Sequence, residues 1–528
     1  MDNELEIVLL GLLVGAIMLV ILARVVAVPY PIMLVLGGLG LGVVPGLPDV
    51  ALEPDLVLII FLPPLLYAAA FFSSLRELRA NLGSISLLAV GLVLATTLAV
   101  ALASHLVIGL SWPAAFVLGA IVAPTDPVAA TAIASRLGVP RRIVTVVEGE
   151  SLINDGTALV IYRFAVVAVA AGTFSLVDAT FSFVVGIAGG AAIGLAIGWV
   201  VAYLRSRTED ALTEISISLA TAYFAYLPAE LAGVSGVIAA VTAGVYLGWR
   251  APELTGPATR LQAFGFWEVL QFLLNAALFI LIGLQLPVVV ESIEGQSSGE
   301  LVLHAALVAS VVIVTRIAWV FTAAWLPRRL SARLRLRDPL PPWRQTFLVS
   351  WIGMRGAVAL AAALALPLQT DAGSPLPDRE LIIFLAFSVV VATLLLQGLS
   401  LPWLIGRLEL TDADGEDWRN AEARLRAAEA ALRRIDELSG EDWVRAETAE
   451  RMRAIYDYRR RRFSARVENH DSAAEYEERA TDFQRLRREL LDAERAAVLD
   501  LRRKGVINDQ VMRAVERDLD LEHTRLEN

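Results

Sequence analysis

Apolar residues fill the first three-quarters of the chain in long blocks separated by short charged loops. A helix needs about 20 such residues to cross a bilayer. By that measure thirteen candidate helices fall near residues 7–28, 32–46, 55–72, 84–109, 113–135, 142–170, 180–204, 210–227, 232–249, 264–288, 300–326, 345–366 and 380–405. Two blocks are interrupted from within. The fifth contains Ala123-Pro-Thr-Asp-Pro-Val128, and the twelfth contains Trp351-Ile-Gly-Met-Arg-Gly-Ala357. Each proline removes an amide donor and disfavours helical geometry in the residue before it, so carbonyls are left free there. The pattern predicts an all-α polytopic membrane protein with two unwound helices.

The loop charges test the count. Loops after odd-numbered helices carry Arg24; Arg76 and Arg79; Arg136, Arg141 and Arg142; Arg205 and Arg207; Arg250 and Arg260; then Arg328, Arg329, Arg333, Arg335 and Arg337. Loops after even-numbered helices carry Asp49, Glu53 and Asp55; Asp178; Glu230; Glu291, Glu294 and Glu300; then Asp371, Asp378 and Glu380, with Arg379 the exception. Basic loops stay in the cytoplasm, which places the N-terminus outside and the tail inside a cell membrane. Because Met1-Asp-Asn-Glu4 lacks a basic leader, residues 7–28 are expected to be a retained span. Two groups of six around the seventh helix would form an inverted repeat, in which the interrupted helices correspond and cross near the midplane.

Beyond Arg407 the material changes. About half of all charged residues lie in the last quarter of a chain with 45 Lys+Arg, 55 Asp+Glu and a formal net charge of −10. The expected division is a transmembrane domain over residues 1–406 and a helical cytosolic tail over 407–528, serving dimerisation or regulation. Trp418, Ala421, Leu425, Ala428, Leu432 and Ile435 alternate three and four apart, and Phe483, Leu486, Leu490, Ala493 and Ala497 repeat the pattern. Gly505 is expected to end one helix and Asn508 to cap the last. An acidic tail gives nucleic-acid binding no support. With no cysteine and four histidines, thiolate sites are excluded and a zinc enzyme is disfavoured. Gly186, Gly190, Gly194 and Gly198 form a ladder suited to close helix packing, the alternative being a sliding or dimer surface.

The chemistry concentrates in the sixth block, where Val147-Glu-Gly-Glu-Ser-Leu-Ile-Asn-Asp-Gly-Thr-Ala158 carries three carboxylates. A carboxylate at the centre of a membrane helix costs roughly 2.5–3.5 kcal/mol on insertion scales, so it is expected to face protein or a wet cavity. Glu150 and Asp155 are five residues apart, about 500° of helical rotation, and point to different sides. Glu150 is assigned to Arg355 as a buried ion pair. Arg316 is a second candidate partner, read first as an interior structural charge. Asp155 is then left to bind from solution, with Ser151 on its face and Thr125 supplying a hydroxyl and a freed carbonyl. Asp126 is open between ion binding and bonding free amides at the break, and Glu148 is read as a helix-edge or lining residue rather than a ligand. Oxygen ligands suit a hard cation. Burial favours a protonated carboxyl and a nearby cation favours the carboxylate, so proton and metal compete for one site.

Pro124-Thr-Asp-Pro127, Gly149-Glu-Ser-Leu-Ile-Asn-Asp-Gly156 and Gly353-Met-Arg-Gly-Ala357 resemble signature segments of the monovalent cation:proton antiporters, sodium/proton exchanger (NhaP-like) branch. Phe61-Leu-Pro-Pro-Leu-Leu-Tyr67 and Leu278-Phe-Ile-Leu-Ile-Gly-Leu-Gln-Leu286 are similar to further segments, and the likeness covers about residues 7–405. The resemblance implies a thirteen-helix homodimer, with an interface domain and a moving core domain, exchanging Na+ or K+ for H+. It assigns ion binding to Asp155 with its neighbour Asn154, a pair that goes with electroneutral exchange, and places Thr125, Asp126 and Ser151 around the ion. It also implies the Glu150–Arg355 ion pair, and sets Ala68 where relatives often carry glutamate. The resulting expectation is an Na+/H+ antiporter working by alternating access in pH and sodium homeostasis. It needs no cofactor beyond the transported Na+ (or K+ or Li+) and H+, and its partners are the bilayer and a second copy. The alternatives are K+/H+ exchange and a non-transporting receptor signalling through its tail.

Overall fold

The computed structural model describes every residue except 1, 27, 43–53, 172–175, 292, 294–296, 332–335, 337, 338, 371, 411, 412, 469–471 and 528. Of the loop charges counted above, Asp49, Glu53, Glu294, Arg333, Arg335, Arg337 and Asp371 lie outside the described residues. Regular structure among the described residues is helical, apart from one bridge between Gln369 and Pro375. The chain divides into two compact units, Met1–Thr411 and Asp412–Asn528.

The first unit opens with α1 (Asp2–Val26), α2 (Tyr30–Gly42), α3 (Pro54–Phe72) and the short α4 (Leu75–Ala80). There follow α5 (Leu82–Ile108), α6 (Trp112–Val122), α7 (Val128–Arg136), α8 (Arg141–Ala171) and α9 (Leu176–Arg205). Next come α10 (Ala211–Leu231), α11 (Gly236–Leu254), α12 (Pro257–Glu291) and α13 (Ser298–Leu330). It closes with α14 (Trp343–Trp351), α15 (Ala357–Leu364) and α16 (Arg379–Leu408). Among the described residues six stretches are both long and apolar enough to cross a bilayer: Leu82–Ile108, Arg141–Ala170, Phe181–Arg205, Pro257–Gln285, Ser298–Leu330 and Arg379–Leu408. Shorter apolar helices cover Val14–Val26, Tyr30–Gly42, Ile59–Phe72 and Trp112–Val122.

Small residues set how closely these helices approach. Gly38 of α2 lies against the Ile280 carbonyl of α12, and Gly283 of α12 lies against the Val35 carbonyl in return, leaving no room for a Cβ on either. The ladder on α9 is used in the same way. A Cβ on Gly190 would stand 2.5 Å from the Ser235 carbonyl oxygen, and Gly194 and Gly198 abut Ala239 and Tyr246 of α11. Gly186 contributes its carbonyl, which accepts a bond from the Ser235 amide at 3.1 Å.

A second set of helices is organised around the two breaks. Helix α6 stops at Val122 and α7 starts at Val128, while α14 stops at Trp351 and α15 starts at Ala357. The two interruptions are bonded to each other. The Asp126 amide donates to the Met354 carbonyl at 2.8 Å, and Arg355 Nε donates to the Val122 carbonyl at 3.0 Å. Nearby, α5 is wound with i→i+5 bonding over Leu87–Leu92. Trp319 of α13 packs against Gly91 there, and its Nε1 donates to the Leu87 carbonyl at 2.9 Å.

The second unit holds α17 (Ala413–Leu438), α18 (Ala446–Val467), α19 (Ser472–Arg503) and α20 (Asp509–Glu527). Ala421 and Ala428 are buried, and the Asn508 side chain caps α20 by accepting from the Val511 amide at 2.9 Å. The apolar stripe along α19 is exposed within this chain, with Phe483 65% and Leu486 60% exposed. Ala480 and Leu491 of that helix are buried, and Arg487–Glu522 and Arg495–Asp520 pairs tie α19 to α20.

Candidate ion-binding site

Helix α8 presents its carboxylates to two different surroundings. On one side Glu150, 1% exposed, meets the fully buried Arg316 of α13. Arg316 Nη1 donates to Glu150 Oε1 at 2.5 Å and Nη2 to Oε2 at 3.0 Å, a bidentate pair, while Nη2 also reaches the Val349 carbonyl at 3.2 Å. The Thr125 hydroxyl donates to Glu150 Oε1 at 2.9 Å, and Asn154 Nδ2 donates to the Thr125 hydroxyl oxygen at 3.0 Å. A fixed relay therefore runs from Arg316 through Glu150 and Thr125 to Asn154. The Oδ1 atom of Asn154 is buried without a hydrogen-bond partner.

The direct partner of Glu150 is thus Arg316, and the expected Glu150–Arg355 ion pair is corrected. Arg355 is also fully buried, but it serves the broken backbone. Its Nε bonds the Val122 carbonyl at 3.0 Å, its Nη1 bonds the Gly353 carbonyl, and its amide donates to the Thr393 hydroxyl at 3.1 Å. The physical reason lies in the end of α6. The last carbonyls of a helix have no partner within it and carry the negative end of the dipole, so an arginine arriving on the crossing segment is drawn to them. A guanidinium spread over two carbonyls is no longer available as a fork for Glu150.

On the other side of α8 lies a cavity of about 350 Å³. Asp155, Ser151, Thr125 and Asp126 line it, facing Gln271 and Asn275 of α12. Asp155 is 6% exposed. Asp126 has a second task. Its Oδ1 accepts from the Val128 amide at 2.9 Å, capping α7, and its carboxylate lies so close to Gly356 that a Cβ there would overlap it. The cavity extends along α8 past Glu148 to Arg141, which is half-exposed. Past Asp155, toward the opposite end of α8, Arg163 pairs with Glu230, whose other oxygen accepts from the Gly236 amide at 3.0 Å. Carboxylates, hydroxyls and the amides of Gln271 and Asn275 around one cavity form an oxygen-rich lining suited to a hard cation.

A family model described as "Sodium/hydrogen exchanger, transmembrane" matches residues 9–407. The chain belongs to the sodium/hydrogen exchanger family. It is similar to an uncharacterized Na+/H+ exchanger of Mycobacterium tuberculosis, at 37% identity over 525 residues covering 98% of this chain and 96% of that protein. It is also similar to the Na+/H+ antiporter ApNhaP of Aphanothece halophytica, at 35% identity over 412 residues covering 77% of this chain and 74% of the relative. The fold resembles that of the sodium proton antiporter MjNhaP1 from Methanocaldococcus jannaschii, with a TM-score of 0.60 at 20% identity, covering 77% of this chain and 98% of that one. The exchanger is accordingly a multi-pass membrane protein with an all-helical fold.

Within the exchanger, Asp155, Ser151, Thr125 and Asp126 come together on the cavity wall, whereas Asn154 lies behind it on Thr125 and Glu150 behind it on Arg316. Ala68 is also on the cavity wall. Gln271 and Asn275 escaped the reading of the sequence. They are amides four apart in an apolar block, hence on one helical face, and that spacing was the available signal.

Proposed function

We propose that the exchanger moves Na+ inward or outward against H+ by alternating access at Asp155. The observation that carries this is the placement of Asp155 with Ser151, Thr125 and Asp126 on one cavity, where the two broken helices bond each other. Asp155, Thr125 and Ser151 would hold the cation, with Asp126 and Asn154 completing the surroundings. The Asp155 carboxylate takes a cation or a proton in turn, and only the neutralised site crosses readily, because moving a bare charge through hydrocarbon is penalised. The Asn154-Asp155 pair supports electroneutral exchange of one cation for one proton. The orphaned Oδ1 of Asn154 is an acceptor within one residue of that acid.

The wider architecture follows the same reading: about thirteen crossings, N-terminus outside, inverted repeats, a domain over 1–406 and a cytoplasmic helical tail over 407–528. The reciprocal bonds between the two breaks support the repeat relationship. With the basic loops inside, the cavity reaches the cytoplasmic end at Arg141, and the Arg163–Glu230 pair closes the outer end. A homodimer completes the assembly, and its proposed role is sodium and pH homeostasis. Potassium is the second reading for the ion. It is favoured by similarity to a protein of Bacillus pumilus named a sodium, potassium, lithium and rubidium/H+ antiporter, 33% identical over 431 residues. The test is purified protein in liposomes with an imposed pH gradient. Adding Na+ should collapse the gradient, K+ and Li+ rank the selectivity, and no response to any of them would end the transport reading in favour of a receptor.

A further inference from the structure

The cavity holds three polar side chains that are more than nine-tenths buried and make no hydrogen bond among the described residues. They are Asp155 and Ser151 of α8 and Asn275 of α12, each 6% exposed. Buried polar groups are normally bonded, so an unbonded one marks a place where a partner arrives. The function proposed above gives the first two a cation and leaves Asn275 without a task. Other polar groups beside the break are already engaged. The Thr125 hydroxyl donates to Glu150 and accepts from Asn154, and Asp126 Oδ1 accepts from the Val128 amide. From the remaining walls, α3 and α15 offer Leu62, Leu65, Val358 and other apolar side chains. Ser73 follows α3, and its hydroxyl donates to the Ala69 carbonyl at 2.7 Å.

We infer that Asn275 is a cation ligand, its Oδ1 adding to the oxygens of Asp155 and Ser151 from a different helix; this rests on the reading of Asp155 as the site of exchange. An amide suits the place because it turns a carbonyl dipole toward a hard cation. It adds an oxygen without adding a charge, so the exchange of one cation for one proton is undisturbed. The next turn of α12 is apolar. Leu278 and Ala361 of α15 are buried together, with Phe61 and Leu65 of α3 packed against them. Helix α12 is itself seated on α2 through Gly38 and Gly283. A cation shared by Asp155 and Asn275 therefore ties α8 to the α2–α12 pair. A proton on Asp155 is held by its own O–H bond and needs no second helix.

The test uses the full-length protein in detergent at alkaline pH, with Na+ as the probe and choline replacing it at constant ionic strength. The rise in unfolding temperature with Na+ reads binding, and the unfolding temperature in choline reads stability. Asn275→Leu keeps the side-chain volume and removes the oxygen. It should leave unfolding in choline unchanged or at higher temperature, because an apolar group replaces an unbonded buried amide. It should raise the Na+ concentration for half-maximal stabilisation about tenfold or more, the scale for losing one dipole that faces a charge. Asn275→Asp restores an oxygen and should bind Na+ at least as tightly as wild type. Gln271→Ala removes the less buried amide of the same wall and should shift the midpoint less than Asn275→Leu does. An unchanged midpoint in Asn275→Leu would mean that water alone meets the amide, and a lower unfolding temperature in choline would make it a structural group. Either result overturns the assignment, as does Asn275→Asp binding Na+ no better than Asn275→Leu, or Gln271→Ala shifting the midpoint as far. If wild-type protein is neither stabilised by Na+ nor exchanges it in liposomes, the reading of Asp155 fails and takes this one with it. A normal wild-type response with an unchanged Asn275→Leu midpoint fails this one alone.

Discussion

Glu150 and Asp155 lie on one helix, are almost equally buried at 1% and 6% exposed, and yet stand in opposite circumstances. Glu150 has a bidentate arginine and a threonine hydroxyl fixed on its oxygens. Asp155 has a cavity in front of it. Burial therefore does not distinguish a structural carboxylate from a working one. What distinguishes them is whether the neutralising charge is built into the protein or has to arrive.

The sharpest way to break that comparison is to remove the acid on the cavity. Asp155→Asn should abolish Na+-dependent proton flux in liposomes while the protein still folds and purifies normally, and surviving flux would dislodge Asp155 from the centre of the mechanism. The next largest effect is on the closed side. Arg316→Ala leaves Glu150 buried and unpaired, and should destabilise by about 3–5 kcal/mol. Thermal unfolding checks this, and adding Glu150→Gln should restore part of the loss. Arg355→Ala should also destabilise, by about 1–3 kcal/mol, because it frees two buried carbonyls rather than a buried charge. If Arg355→Ala costs more than Arg316→Ala, the assignment of Glu150 to Arg316 is wrong.

Smaller effects probe the relay and the far end. Thr125→Val interrupts the bonds from Asn154 to Thr125 and from Thr125 to Glu150. It should raise the Na+ concentration for half-maximal exchange and cost about 1–2 kcal/mol of stability; an unchanged concentration dependence would leave Thr125 purely structural. Arg163→Ala breaks a partly exposed pair, worth about 1 kcal/mol or less in stability. If that pair helps to close the outer end, the variant should change the exchange rate more than the unfolding temperature, and a change confined to stability would argue against a gate.

Much of this arrangement was legible in advance where the cause is local. Pro124 and Pro127, close together around Asp126, disfavour a continuous helix, and Gly353 and Gly356 lie within the second break, so both interruptions could be placed from the residues alone. Asn508 is a helix cap by its own chemistry and caps α20. The Arg316 partnership was different. Arg316 and Arg355 are both lone charges in apolar blocks, and nothing in their spacing ranks them as partners for Glu150. The stripe from Phe483 to Ala497 shows the same limit, since its three-four spacing defines a face and leaves open what covers it.

The sequence by itself determined that the protein is helical and membrane-embedded, where its helices break, and that a carboxylate sits among apolar residues at a cost requiring compensation. Those follow from backbone chemistry and transfer energies, which act residue by residue. The tertiary structure alone decided who compensates whom. The end of α6 drew Arg355 to its carbonyls, α13 brought Arg316 to Glu150, and α12 put Gln271 and Asn275 on the cavity that Asp155 lines. Such pairings depend on distances between helices far apart in sequence, and a charge favours whichever unpaired opposite charge or dipole the packing brings nearest.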